Sequence, residues 1–429
     1  TLLLTGLIKA MSKFIPQPSC ADPEDKNRLS IDAARDRISA LIKPLNSWQR
    51  YPIRDALDRV LYQDIISPIN VPAHNNSAMD GYAVRSDDIN DGSLNLKQVG
   101  TAFAGKPFKG KINSGECIRI MTGAVVPNQC NTIIMQEQVD INDDIVTIHG
   151  HHRKGQHVRY VGEDIKTGAV VLAAGRRLVP SDIGLLSSLG IADVNVTRRL
   201  RVAFFSTGDE LKSTGESLEV GQIYDSNRYT LFGMLKRLGV EILDMGVVPD
   251  QKAILRQTLA DAAQQADVVI TSGGVSVGDA DYVKEMLAEL GQVDFWKIAM
   301  RPGRPLAFGK INNSLFFGLP GNPVSVMVTF YQFVTPALRK LMGESKPDSI
   351  TLQVTCTDKI RKRPGRFEYQ RGILFTDNDG QTKVKTTGSQ GSGILSSMSN
   401  ANCFILLDEQ CDGLAANSIV SVQPFSGLI

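Results

Sequence analysis

From Ser30 onward, apolar residues first recur at helical spacing: Ile31, Ala34, Ile38, Leu41 and Ile42, with Ser30 placed to cap the run and Pro44 to end it. From Val60 to about Thr147 the pattern changes to short apolar runs, such as Ile118–Met121 and Thr132–Met135, separated by Asn, Asp, Gly and Pro. That texture predicts a β-rich module. A mixed segment follows to about Arg199, with a short helix over Asp182–Leu189 capped by Ser181 and stopped at Gly190. Beyond residue 200, buried-strand runs (Val202–Phe205, Ile242–Val247, Val268–Thr271, Phe295–Met300) alternate with helical ones (Asn227–Leu238, Gln251–Gln265, Tyr282–Leu290). The alternation predicts a parallel sheet with helices on both faces.

A long helix over Asn322–Met342 closes that region, with Asn322 as cap and Pro323 in its first turn. Past Pro347 the period falls to two: Ile350, Leu352, Val354 and Cys356 alternate with polar residues, and Phe404–Leu407 and Ile419–Val422 continue the theme. This predicts a small all-β domain of roughly 80 residues. The opening residues, to about Asn27, read as a flexible extension; their apolar stretch Thr1–Ala10 lacks a charged leader and is too short to span a bilayer.

Composition narrows the class. A chain of 429 residues, 42% apolar and 21% charged, suits several folded domains and not disorder. With 47 basic and 45 acidic residues the net charge is only +2, and no dense basic stripe marks a nucleic-acid binder. Six scattered cysteines without a C-x-x-C pair fit reduced thiols in a cytoplasm.

Ligands of open α/β sheets bind beyond the carboxyl ends of the strands. Three such ends carry acidic groups: Ser206-Thr207-Gly208-Asp209-Glu210, Gly246-Val247-Val248-Pro249-Asp250, and Ser272-Gly273-Gly274 running on to Asp279, Ala280 and Asp281. Glycines there admit a ligand to backbone N–H groups, and carboxylates beside them suit Mg²⁺ on phosphate oxygens. Asp250 and Asp281 also sit where a helix cap would sit, so each has a purely structural reading. Lys297, Arg301 and Arg304 crowd one strand turn and suit an anion. The turn Gly318-Leu319-Pro320-Gly321-Asn322-Pro323 offers the free N–H groups of a helix start. In the first half, polar loops surround Asp80, Thr122 and Asp164, while His149, His151 and His152 fall at a turn without other ligands at zinc spacing.

The words NNSAMDGYAV, IRIMTGAVVP, VGEDI, FSTGDEL, GQIYDSN, TSGGVSVGDADY and GLPGNPVS together resemble the molybdopterin molybdenumtransferase family, to which MoeA and the E domain of gephyrin belong. The likeness runs in order from about Leu29 to the C-terminus. It implies an α/β and β multidomain fold: an extension (1–27), a discontinuous linker domain (28–67 and 148–199), an inserted β-rich domain (68–147), a doubly wound α/β molybdopterin-binding domain (200–347) and a barrel-like β domain (348–429). It implies an elongated, cytoplasmic homodimer with a cleft shared between subunits, and no nucleic-acid or membrane partner. Transient contact with molybdopterin adenylyltransferase and molybdoenzyme maturation proteins is implied too.

The implied reaction joins molybdate to adenylylated molybdopterin with Mg²⁺ and releases AMP and the molybdenum cofactor. By position, Asp80, Thr122, Arg159 and Asp164 match the N-terminal functional loops, and Glu210, Asp250 and Asp281 match the acidic, metal-holding residues. Ser272, Gly273, Gly274, Pro320, Asn322 and Pro323 match the phosphate loops. Lys297, Arg301 and Arg304 match the basic group, although Arg301 and Arg304 stand where bacterial relatives commonly carry Lys. Arg366, Arg371 and Ser392 fall in segments like those on the molybdate side. Two other readings compete: the adenylyltransferase of the preceding step, which would consume ATP, and a non-catalytic gephyrin-like scaffold.

Overall fold

The computed structural model describes residues 28–89, 94–274, 286, 287, 289–345 and 350–426. The 1–27 extension lies outside these residues. The chain divides into two compact units, 47–197 and a second made of residues up to 46 together with those from 198 onward. Among the described residues no helix is long and apolar enough to cross a membrane.

In the 47–197 unit a six-stranded sheet has the order Thr132–Met135, Gly81–Val84, Glu116–Ile120, Leu94–Ala102, Ile145–Ile148, Val139–Asn142. Alternation splits the strand Gly81–Val84 between two cores: Tyr82 and Val84 pack with Leu96, Cys117 and Ile134, and Ala83 packs with Ile118, Ile120 and Ile133. The short helix spans Pro180–Ser188 and starts earlier than the spacing implied. Ser181 is therefore inside it. Pro180 takes the first position, and Asp182 Oδ2 accepts from the Val179 N–H at 3.1 Å, so Asp182 does the capping assigned to Ser181. Gly190 does end the helix, at φ 72°.

The second unit holds a seven-stranded sheet ordered Arg28–Leu29, Gly291–Ile298, Pro305–Ile311, Ser314–Leu319, Val268–Ser272, Arg201–Thr207, Glu241–Val248. It is not the parallel sheet expected. Gly291–Ile298 runs antiparallel to Pro305–Ile311, and Pro305–Ile311 antiparallel to Ser314–Leu319; the other pairings are parallel. The cause is a tight hairpin at Asn312, which adopts φ 52° as a two-residue turn requires. The helix Lys252–Gln265 buries Leu255, Leu259, Ala262 and Ala263 against Ala203, Phe205 and Val269. The helix Ser226–Leu238 is capped by Asp225, whose Oδ1 accepts from the Arg228 N–H at 3.0 Å, and ends at left-handed Gly239. Of the helix expected over Tyr282–Leu290, residues 286, 287, 289 and 290 are helical and the others lie outside the described residues.

The closing helix is continuous but not uniform: Pro323–Thr329 and Thr335–Leu341 flank a π segment, Phe330–Val334. Pro336 has no N–H for the Gln332 carbonyl, which instead accepts from Arg35 Nε at 3.3 Å. Gln332 Oε1 also accepts from Arg35 at 2.6 Å, and its Nε2 donates to Gln423 Oε1 at 2.9 Å. With Tyr331 stacked on Phe425 at 5.8 Å, this chain of contacts ties the helix Ile31–Leu41 and the closing helix to the end of the C-terminal strand Ser418–Pro424. Those strands (Met300–Arg301, Phe367–Thr376, Thr382–Thr386, Leu352–Cys356, Ser418–Pro424, Cys403–Leu407) close on themselves because Phe367–Thr376 pairs with both Thr382–Thr386 and Cys403–Leu407. Val354, Cys356, Val384, Ile405 and Val422 fill the barrel. Ile350 precedes the first of its strands and is 65% exposed.

Candidate active site

The carboxyl ends of the parallel strands converge as the sequence implied. Gly273 (φ 92°) and Gly274 (φ 70°) follow the strand Val268–Ser272, and a Cβ at Gly273 would lie 2.5 Å from the Thr207 carbonyl oxygen. Only glycine lets this loop pass so close to the neighbouring strand end. Thr207 Oγ1 donates to Asp250 Oδ1 at 3.3 Å, and the Asp250 N–H donates to Asp209 Oδ1 at 3.3 Å. Glu210 lies in the same turn, its Oε2 2.7 Å from where a Cβ on Gly208 would be. Asp250 is not a helix cap: that position belongs to Gln251, whose carbonyl accepts from the Leu255 N–H. Asp281, with Asp279, lies outside the described residues.

A side chain that spacing did not single out links the phosphate-type loops. Asn227 Nδ2 donates to Ser272 Oγ at 2.9 Å and to the Gly321 carbonyl at 2.7 Å. It therefore clamps the Ser272 loop to the Pro320–Pro323 turn. In the sequence Asn227 stands out only as the start of a helix and the last residue of GQIYDSN, with no role of its own. At that turn Pro320 is buried, Asn322 makes no side-chain cap and Pro323 opens the helix. The Val324 N–H is already taken by the Ser392 carbonyl at 3.1 Å, which leaves fewer free donors at the helix start than expected.

The basic residues meet on the barrel side. Met300–Arg301 pairs in parallel with Phe367–Glu368, which sets Arg301 beside Glu368, with 3.5 Å between Arg301 Nη1 and Glu368 Oε1. A cavity of about 280 Å³ opens there, lined by Arg301, Lys359, Arg361, Glu368, Arg371 and Gln390 among others. Arg371 is only 1% exposed, yet among the described residues its guanidinium has just two acceptors, Ser397 Oγ and the Gly391 carbonyl, each at 3.0 Å. Burial, reinforced by the nearby Arg301, pushes the Arg371 pKa down to about 10. Arg366 is lowered as well, by burial first and then by Arg28, Arg304 and Arg301. Arg301 thus opposes the charge of both Arg371 and Arg366, and a surplus of cations at and beside a cavity makes a place where an anion is favoured. Lys297, on the strand Gly291–Ile298, stands opposite Pro305, and the Arg304 carbonyl accepts from the Ile298 N–H at 2.7 Å.

In the 47–197 unit, Asp80 Oδ1 accepts from both the N–H and the hydroxyl of Thr122, each at 2.7 Å. Those two bonds, the backbone one first, hold the exposed Asp80 carboxyl below the usual carboxylate range. Thr122→Val removes one of them, so the Asp80 pKa is expected to move back part of the way toward its ordinary value, read by NMR titration of the carboxyl carbon. Arg159 lies on the short strand Val158–Arg159, paired with Asn76–Ser77, and Asp164 follows in an exposed turn where its N–H donates to the Val71 carbonyl at 3.1 Å. Among the described residues no group of three or more His, Cys, Asp and Glu side chains is placed to hold a metal ion, and the His149 ring instead meets Asp140 at 2.8 Å. The cysteines at 117, 130, 356, 403 and 411 are free thiols.

This combination of an α/β sheet with glycine loops, a β-rich unit and a closed barrel is matched, segment by segment, by family models of molybdopterin-handling proteins. Residues 29–190 match the MoeA N-terminal region (domain I and II), 203–340 a probable molybdopterin binding domain, and 353–425 the MoeA C-terminal region (domain IV). A molybdopterin molybdenumtransferase of Haemophilus influenzae is 44% identical over 405 residues, covering 94% of this chain and all of that protein. A gephyrin of Dictyostelium discoideum is 35% identical, over 87% of this chain and 59% of that protein. A molybdopterin biosynthesis MoeA protein of Pyrococcus horikoshii has a crystal structure that superposes with a TM-score of 0.81 at 28% identity, covering 93% of this chain and all of that one. The chain belongs to the molybdopterin molybdenumtransferase family, and is an enzyme of molybdenum cofactor biosynthesis.

Proposed function

We propose that the protein joins molybdate to adenylylated molybdopterin and releases AMP and the molybdenum cofactor, acting with Mg²⁺ as a cytoplasmic homodimer. The observation that carries this reading is the cavity at Arg301 and Arg371, where the buried Arg371 guanidinium is repelled by the more exposed Arg301 and a compact anion would relieve both. It is coupled to the phosphate-type loops by the Val324–Ser392 contact and the Asn227 clamp. Gly273, Gly274, Ser272 and the Pro320–Asn322–Pro323 turn hold the adenylyl phosphate. Lys297, Arg301, Arg304, Arg366, Arg371 and Ser392 balance the charge of molybdate and phosphate. Asp250 and Glu210, with Asp281, would hold Mg²⁺. The donor set fits, because Mg²⁺ needs only one or two carboxylates beside phosphate and water, and Asp250 has a single hydroxyl donor on Oδ1. When bound, the ion would neutralise charge on the phosphoanhydride. Asp80, Thr122, Arg159 and Asp164 act from the second copy of the chain. Such chemistry rests on positioning and charge balance and not on a protein nucleophile.

The decisive experiment measures AMP release from adenylylated molybdopterin with and without molybdate. Release that requires molybdate supports the reading. Turnover of ATP with free molybdopterin would assign the preceding adenylyltransferase step instead. Light scattering is expected to report about twice the 46.7 kDa chain mass, and a fully active monomer would remove the shared cleft.

A further inference from the structure

The anion cavity contains a carboxylate. Glu368 is 7% exposed, on the same strand as Arg371, and it lines a space whose other charged lining residues are Arg301, Lys359, Arg361 and Arg371. Its Oε1 is 3.5 Å from Arg301 Nη1, and its Oε2 accepts from Gln370 Nε2 at 3.0 Å. Arg366 also feels its charge. The strand on its other side presents Leu407 opposite it, which brings no charge. A site built only to attract dianions would gain nothing from such a group, since a carboxylate beside a bound dianion costs Coulomb energy.

We propose that Glu368 is a specificity-determining residue that selects among tetrahedral oxyanions by their basicity, favouring molybdate over sulfate. The inference rests on the molybdate reading above. Two acidic oxygens forced together in one site share a proton and cannot both stay ionised. Hydrogenmolybdate is about as strong an acid as a carboxylic acid, so a proton taken from solvent is shared between Glu368 and a molybdate oxygen, which removes the repulsion. Hydrogensulfate is a far stronger acid, so a sulfate oxygen contributes little to holding that proton, and sulfate binds either against the repulsion or at the full cost of protonating Glu368 alone. The surrounding cations, Arg301, Lys359, Arg361, Arg366 and Arg371, supply attraction that every such anion enjoys equally. Glu368 supplies the difference.

Calorimetric titration of the full-length protein with sodium molybdate and with sodium sulfate, in buffers of different ionisation heat, tests this. Wild-type protein is expected to take up protons with molybdate and to prefer it over sulfate. Glu368→Gln keeps the shape and an acceptor for Gln370, so it is expected to bind sulfate about tenfold more tightly or better and to lose the proton uptake, collapsing the preference. Glu368→Asp is expected to retain the uptake. If both anions gain equally in Glu368→Gln, or if wild-type molybdate binding takes up no proton, the selective role is overturned while the molybdate site stands. If wild-type protein binds no molybdate at all, the functional reading fails, and this inference with it.

Discussion

Asp250→Asn is expected to remove most turnover, about 10²–10³-fold in kcat, while leaving the melting temperature unchanged. The two halves of this expectation come from different observations. Stability is spared because the helix that follows is capped at Gln251, so no first-turn N–H depends on the Asp250 carboxylate. The side chain accepts one long bond, from Thr207 at 3.3 Å, and an amide oxygen keeps it. Activity is lost because Asn removes the charge that would face Mg²⁺ and the phosphate, at a strand end where Asp209 and Glu210 already cluster. Steady-state AMP release at several Mg²⁺ concentrations checks it. Partial recovery at high Mg²⁺ would mean that weakened metal affinity is the defect. Turnover near wild type at low Mg²⁺ would remove Asp250 from the metal site and leave its role to Thr207 packing alone.

The elements that announced themselves in the sequence are those with one buried face and a distinct terminus. Ser30 caps its helix as read, with its Oγ accepting from the Ala33 N–H at 3.1 Å, and Gly239 ends the helix Ser226–Leu238 in the left-handed region. The hairpin Pro305–Leu319 was not legible, because both its strands are buried on both faces and so show no alternation. Its one local signal was Asn312-Asn313, a turn pair that the surrounding Phe and Gly residues obscured. The π segment was hidden for another reason. The sequence predicts one uniform run over Asn322–Met342, and the π segment within it depends on Arg35, distant in sequence, which donates to the Gln332 carbonyl that Pro336 cannot satisfy.

The site was legible in the same uneven way. Glycine loops and strand-end carboxylates are local features, so Gly273, Gly274 and Asp250 could be picked out as candidates from the chain alone. Asn227 and Glu368 could not. Asn227 acts across loops from two other strands, and Glu368 sits on a period-two strand where an acidic residue reads as solvent-facing. Closure of the barrel reverses that reading, since Glu368 and Gln370 are 7% and 5% exposed.

Arg371→Met is expected to separate function from stability in the opposite sense to an ordinary core substitution. A buried arginine trimmed to an apolar side chain of similar length normally risks losing its ion pair. Here the pair is poor. Arg371 has two neutral acceptors, and one of them, Ser397 Oγ, still donates to the Ile394 carbonyl at 2.6 Å when the guanidinium is gone. Its charge is opposed by burial and by Arg301, which outweigh the attraction of Glu368 and lower its pKa to about 10. An Arg with a depressed pKa is a charged group held at a cost throughout the range below that pKa, and near neutrality the unfolded chain bears the same proton without the cost. Removing it should therefore leave the melting temperature equal or higher at pH 7. The same change removes the most buried cation of the cavity, so AMP release at limiting molybdate is expected to fall about a hundredfold, with most of the loss in apparent molybdate affinity. Excess molybdate should recover part of it. A variant that unfolds several degrees earlier would make Arg371 a structural residue of the barrel, and one that is stable with unchanged molybdate dependence would place the anion elsewhere.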